Sequence, residues 1–160
     1  MSHSAHKPAH AASIRIAGID YGTVRIGIAI ADSQVKIASP FENYTRRNPQ
    51  LDAAYFRQLA EREQIGRFVV GLPIHLDGSE SQKSTEARRF GVWLGEATGV
   101  PVVLFDERFT THQAEQYLAA AQLTSKKRKA RLDKLAAQIM LTAYLESPDA
   151  CSQPPRGLDD

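Results

Sequence analysis

At 160 residues, with 42% hydrophobic and 24% charged content, the chain has the size and composition of one soluble globular domain. No apolar run approaches the roughly 20 residues of a membrane span, and a single cysteine, Cys151, excludes an intrachain disulfide or a cysteine-based zinc site and suits a reducing cytoplasm. The formal net charge is only +2, so an argument for an acidic partner has to rest on where the charges sit.

Residues 1–12 have neither the apolar core of a secretory signal nor an arginine-rich amphipathic pattern, and they read as a disordered lead. His3, His6 and His10 are irregularly spaced within it and read as solvated. The folded domain is expected over 13–147. It opens with Ile14-Arg-Ile-Ala-Gly-Ile-Asp20 and Arg25-Ile-Gly-Ile-Ala-Ile-Ala31, β-branched runs that form a hairpin about Gly22. Val35 to Ala38 offers a third strand, ended by Ser39-Pro40. Asn48 followed by Pro49 has the form of an N-cap with proline at the first helical position, and Ala53, Phe56, Leu59 and Ala60 carry that helix to about Gln64. Arg67 to Gly71 is a continuous apolar strand stopped by Leu72-Pro73. Ala87, Phe90, Gly91, Leu94 and Ala97 mark one face of a second helix ending at Gly99, and Val102 to Phe105 makes a further buried strand. Thr110 with Gln113 has capping-box spacing for a third helix, a basic stretch intervenes as a loop, and Asp133 opens the last helix. Pro148 to Asp160 reads as a loose tail.

Three strands, helix, strand, helix, strand and two helices make an α/β protein with a mixed five-stranded sheet flanked by helices. The last two strands enter by right-handed crossovers. Asp20 ends a buried strand, where a lone carboxylate is costly unless a cation or donors compensate it; taken alone it could be a turn residue satisfying its own backbone. Asp106 and Glu107 follow the last strand, at the carboxyl end where open α/β sheets gather ligands. Asp133 has apolar partners at i+4 and i+7, Ala137 and Met140, so its face turns toward the sheet; taken alone it is a helix cap. Together Asp20, Asp106 or Glu107, and Asp133 would form an all-oxygen site with no histidine or cysteine, suited to magnesium or manganese. Lys126, Lys127, Arg128, Lys129 and Arg131 lie beside it and read as a phosphate-contacting arm rather than a merely solvated run, with Arg25, Lys36, Arg46 and Arg47 extending the track. His112 reads as a surface residue and Trp93 as a packing residue.

Four motifs in order resemble the YqgF (RuvX-like) family of pre-16S rRNA nucleases or Holliday junction resolvase-like proteins. They are Gly18-Ile-Asp20-Tyr-Gly-Thr23 with Arg25-Ile-Gly27; Val70-Gly-Leu-Pro73 with Asp77-Gly78; Asp106-Glu-Arg-Phe-Thr-Thr111; and Asp133-Lys-Leu-Ala-Ala137. The resemblance, over about 14–146, implies an RNase H-like fold and a metal-dependent nuclease acting on structured nucleic acid, with Asp20, Glu107 and Asp133 as catalytic and metal-holding carboxylates. Unlike the better-known resolvases, the strand ending at Gly71 carries no acid, so the second ligand comes from Asp106 or Glu107, with family precedent for Glu107. Pre-16S rRNA is the expected partner and branched DNA the alternative. A junction resolvase would carry a homodimer with it, because cutting two strands symmetrically needs two sites. The Asp-x-Gly-Thr turn also resembles the phosphate loop of the actin and sugar-kinase superfamily, but such proteins close two lobes around a nucleotide. A non-catalytic RNA-binding factor is the third reading.

Overall fold

The computed structural model describes residues 13–75, 77–109 and 125–146, with backbone alone at 109 and 125–133. The expected lead, the expected helix from Thr110, His112 and the tail lie outside the described residues.

The apolar, isoleucine-rich runs form β1 (Arg15–Asp20) and β2 (Arg25–Asp32), paired antiparallel with Ile19 opposite Ile28 and Asp20 opposite Gly27. The turn between them is tight enough that a Cβ on Gly22 would overlap the Arg25 carbonyl oxygen, so only glycine fits there.

The third strand departs from expectation. It is β3 (Ala38–Thr45), running through Pro40 rather than stopping before it. Val35 and Ile37 instead stand exposed in a turn, with Lys36 at φ 57°. Proline is tolerated because β3 is an edge strand, and because Pro40 sits at a bulge where the register with β2 shifts between Ile28 and Ala29.

Asn48 caps α1 (Pro49–Arg62), its side chain accepting from the Leu51 amide at 2.9 Å. Inside the first turn, Asp52 is buried and accepts from the Tyr44 hydroxyl at 2.6 Å and the Arg47 amide at 3.0 Å, which fixes the end of β3 against the helix. Then follow β4 (Ile65–Leu72), α2 (Gln82–Thr98) and β5 (Val102–Asp106). Ser81 caps the start of α2, and Gly99 at φ 70° ends it in the left-handed conformation. A 3-10 turn occupies Glu107–Phe109.

The sheet order is β3-β2-β1-β4-β5, with β1, β4 and β5 parallel. Side-chain alternation divides the core into two layers. Ala17, Ile19, Ile28, Phe68 and Val70 pack with Phe56, Phe90 and Leu94 under α1 and α2. Ile16, Ala29, Ala31, Val69 and Phe105 pack with Ala137, Met140 and Leu141 of the last helix, α3 (Ser125–Glu146), on the other face. At Gly18 the helix approaches so closely that a Cβ would stand 2.8 Å from the Leu141 Cβ and 3.3 Å from the Ala137 carbonyl oxygen.

The start of α3 is a second correction: the helix begins at Ser125, not at Asp133, so the basic stretch lies on its first turns and is not a loop. Lysine, arginine, alanine and leucine are strong helix formers and no glycine or proline interrupts 125–146. Their positive charge opposes the dipole at a helix start, but helix propensity outweighs it here. No helix among the described residues is long and apolar enough to cross a membrane.

Candidate active site

Ile16 and Gly18 face α3, so Asp20, the next residue on that side of β1, is carried onto the same face at the strand's carboxyl end. It is half-buried. β4 lies beside β1 with Ile19 opposite Val70, which puts Gly71 next to Asp20. Val69 belongs to the α3-side core, so Gly71 opens toward that side too.

Glu107 occupies the room that Gly71 leaves. A Cβ on Gly71 would overlap Glu107 Oε1 and stand 3.2 Å from its Cγ and Cδ. The 3-10 turn after β5 thus folds Glu107 back across β4 toward Asp20. Burial first, and then the Asp106 carboxylate, push the Glu107 carboxyl above the usual carboxylate range.

The neighbouring acid is spent elsewhere. Asp106 lies opposite Leu72, whose side chain belongs to the α1 and α2 layer. Arg108 holds both of its oxygens, with Nε at 2.9 Å and Nη2 at 2.5 Å from Oδ2 and the Arg108 amide at 2.9 Å from Oδ1. Of the two candidates, Glu107 is therefore the one beside Asp20. Sequence reasoning missed both Arg108 and the reason for Gly71. The Asp-x-Arg spacing could have signalled the first, whereas the second depends on a strand partner far along the chain.

Asp133 stands one turn before Ala137 on α3, on the face that includes the buried Ala137, Met140 and Leu141. Tyr144 meets Arg67 near the start of β1, through a 2.9 Å hydrogen bond, while Ala137 and Leu141 lie at Gly18. The helix thus runs antiparallel to β1, and its register carries Asp133 toward the Asp20 end; the Asp133 side chain lies outside the described residues. Among the described residues no three histidines, cysteines or acids form a metal-holding group.

Arg25 is exposed, at the start of β2, and shares a side with Gly27, the residue opposite Asp20. It therefore stands at the rim of the same site. Lys36 does not, since the β2 to β3 turn is at the far end of the sheet; the expected track is corrected there. Arg46 and Arg47 follow β3 at the Asp20 end, although Arg46 is drawn to the α1 and α2 side, over the ring of Tyr21. The side chains of Lys126, Lys127, Arg128, Lys129 and Arg131 lie outside the described residues.

A family profile described as RuvX: Holliday junction resolvase matches residues 14–147. A protein of Rhodopirellula baltica is 52% identical over 133 residues, covering 83% of this chain and 77% of that protein. One of Koribacter versatilis is 38% identical over 132 residues, covering 82% and 86%. Both carry the provisional name pre-16S rRNA nuclease. Among solved structures, Thermus thermophilus RuvC in complex with a Holliday junction substrate superposes with a TM-score of 0.53 at 15% identity, over 87% of this chain and 98% of that one. That likeness is one of fold, and it is the RNase H-like fold expected from the motifs.

Proposed function

This chain belongs to the RuvX family, and on that premise we propose that it is a divalent-metal-dependent nuclease that hydrolyses phosphodiester bonds in structured RNA. Its substrate is pre-16S rRNA, as the names of its relatives suggest; cleavage at the 5′ end and a cytoplasmic setting are part of the same proposal. The observation that carries this reading is Glu107 folded into the space left by Gly71, on the sheet side where β1 presents Asp20.

The donor set fits magnesium or manganese. Its donors are carboxylate oxygens, and the raised affinity of Glu107 for a proton marks a buried negative site that a cation would relieve. Asp20, Glu107 and Asp133 would hold the ions, Asp20 from the central strand and the others from its flanks. Bound there, the ions supply charge stabilisation to the attacking and leaving oxygens of an in-line displacement. The chain's own groups do the rest. Asp20 and Glu107 are held by strand register and a short turn, so little rearrangement accompanies binding. Arg25 meets a phosphate at the rim, and the basic first turns of α3 hold the flanking backbone.

The test is a panel of structured precursor RNA and four-way DNA, incubated with the full-length protein and with Asp20→Asn in magnesium and in chelator. Magnesium-dependent RNA cleavage that falls to background in Asp20→Asn, with circular dichroism unchanged, is expected. Wild-type rates from the variant would refute the site. Cleavage of the junction alone, by a dimer in sizing experiments, would move the substrate to branched DNA.

A further inference from the structure

A second concavity lies at the same end of the sheet, on the α1 and α2 side. Tyr21 directly follows Asp20, and it meets Arg46 from beyond β3 and Glu86, Arg89, Phe90 and Trp93 from α2 around a cleft of about 260 Å³. The walls are held in place. The Phe90 ring lies 4.9 Å from that of Tyr21 and 5.4 Å from that of Trp93. The Arg46 guanidinium stands 5.3 Å from the Tyr21 ring centre, donates to the Tyr21 hydroxyl at 3.0 Å, and is tied at 3.5 Å to the buried Asp52. Arg89 is exposed, and no ion pair among the described residues holds it. Glu86 accepts from the Gln82 side-chain Nε2 at 3.3 Å and keeps further lone pairs.

We propose that this cleft receives one unpaired guanine of the strand being cut; the proposal rests on the nuclease reading and adds a base preference to it. A volume below the roughly 300 to 1,000 Å³ of sites for drug-sized ligands suits a single base. Aromatic rings and guanidinium planes are the surfaces on which proteins stack unpaired bases. The polar groups choose among bases. A carboxylate accepts from the N1 and N2 hydrogens of guanine, while guanidinium groups donate to its O6 and N7. Adenine would turn an acceptor, N1, toward Glu86. The exposed turn at Thr23 and Val24 caps the end of β1 between the two sides. A strand crossing that turn would keep its phosphate at Asp20 and lay a neighbouring base against Tyr21.

Trp93 is the one tryptophan in the chain, so its fluorescence reports on the cleft. Full-length protein without divalent metal is titrated with the pentaribonucleotides UUGUU, UUAUU and UUUUU, with guanosine 5′-monophosphate as competitor. UUGUU should quench Trp93, bind about tenfold or more tightly than UUAUU, and be displaced by the mononucleotide. Glu86→Gln should bring the guanine-to-adenine ratio close to one, and Arg89→Ala should weaken UUGUU by about tenfold. Arg89 is exposed and Glu86 half-buried at the flank of α2, and melting curves check the fold. Equal binding of the three oligonucleotides, or a ratio unchanged in Glu86→Gln, overturns the proposal. Because binding is read without metal, the two readings fail separately. Cleavage without a guanine preference sinks the cleft alone, and a guanine preference without cleavage sinks the nuclease alone.

Discussion

Gly71→Ala separates the chemistry from the fold. Gly71 is absent from the positive-φ glycines, so its backbone accepts a side chain, and the three nearest atoms a Cβ would meet all belong to Glu107. Those atoms sit at the far end of a flexible side chain, so the clash is relieved by moving Glu107 outward. A strand-interior glycine is less stable than alanine by roughly 0.5–1 kcal/mol. The displaced carboxyl also returns toward water, which removes the burial that raises its pKa. The variant should therefore melt no lower than the wild type, and up to about 4 °C higher. Metal affinity should fall by about ten- to a hundredfold, as when a residue that orients a ligand is lost. The assay pairs thermal unfolding with initial cleavage rates over a magnesium titration, in the wild type, Gly71→Ala, Glu107→Gln and the double variant. Both single variants act through one carboxylate, so the double should be little worse than Glu107→Gln. An unchanged rate and unchanged magnesium half-saturation in Gly71→Ala would refute the placement of Glu107 as a ligand.

Calcium should support RNA binding but little cleavage, because it occupies oxygen sites with longer and looser geometry than magnesium; equal rates would count against two closely held ions. Neutralising Lys126, Lys127, Arg128, Lys129 and Arg131 together should lower the log-log salt slope of binding by up to about 3.5 on single strands and 4.5 on duplex DNA, and an unchanged slope would return them to a solvated helix face. Burial, with the hydrogen bond to Asp52, pushes the Tyr44 hydroxyl from 10.0 up to about 12, so the folded state holds that proton where the unfolded state releases it. Stability should fall as pH rises through that window, and Tyr44→Phe should flatten the fall in alkaline denaturation curves.

What could be read along the chain was set by neighbours in sequence. The apolar β-branched runs of Ile14 to Ala31, the Asn48-Pro49 cap and the glycine stop at Gly99 each depend on a few adjacent residues, and they recur in the structure as the hairpin, α1 and α2. The motifs likewise marked out Asp20, Glu107 and Asp133 as candidates. What they left open was decided by pairings across long stretches of chain. Pro40 stays inside a strand because β3 has an open edge and a bulge opposite β2. Asp106 and Glu107 are adjacent in sequence yet part company, one held by Arg108 on the Leu72 side and the other laid into the gap at Gly71. The Asp106-x-Arg108 spacing is local, but nothing local shows that Glu107 turns across β4. Their division follows from side-chain alternation at the end of a parallel strand, and from a missing Cβ on the strand next to it.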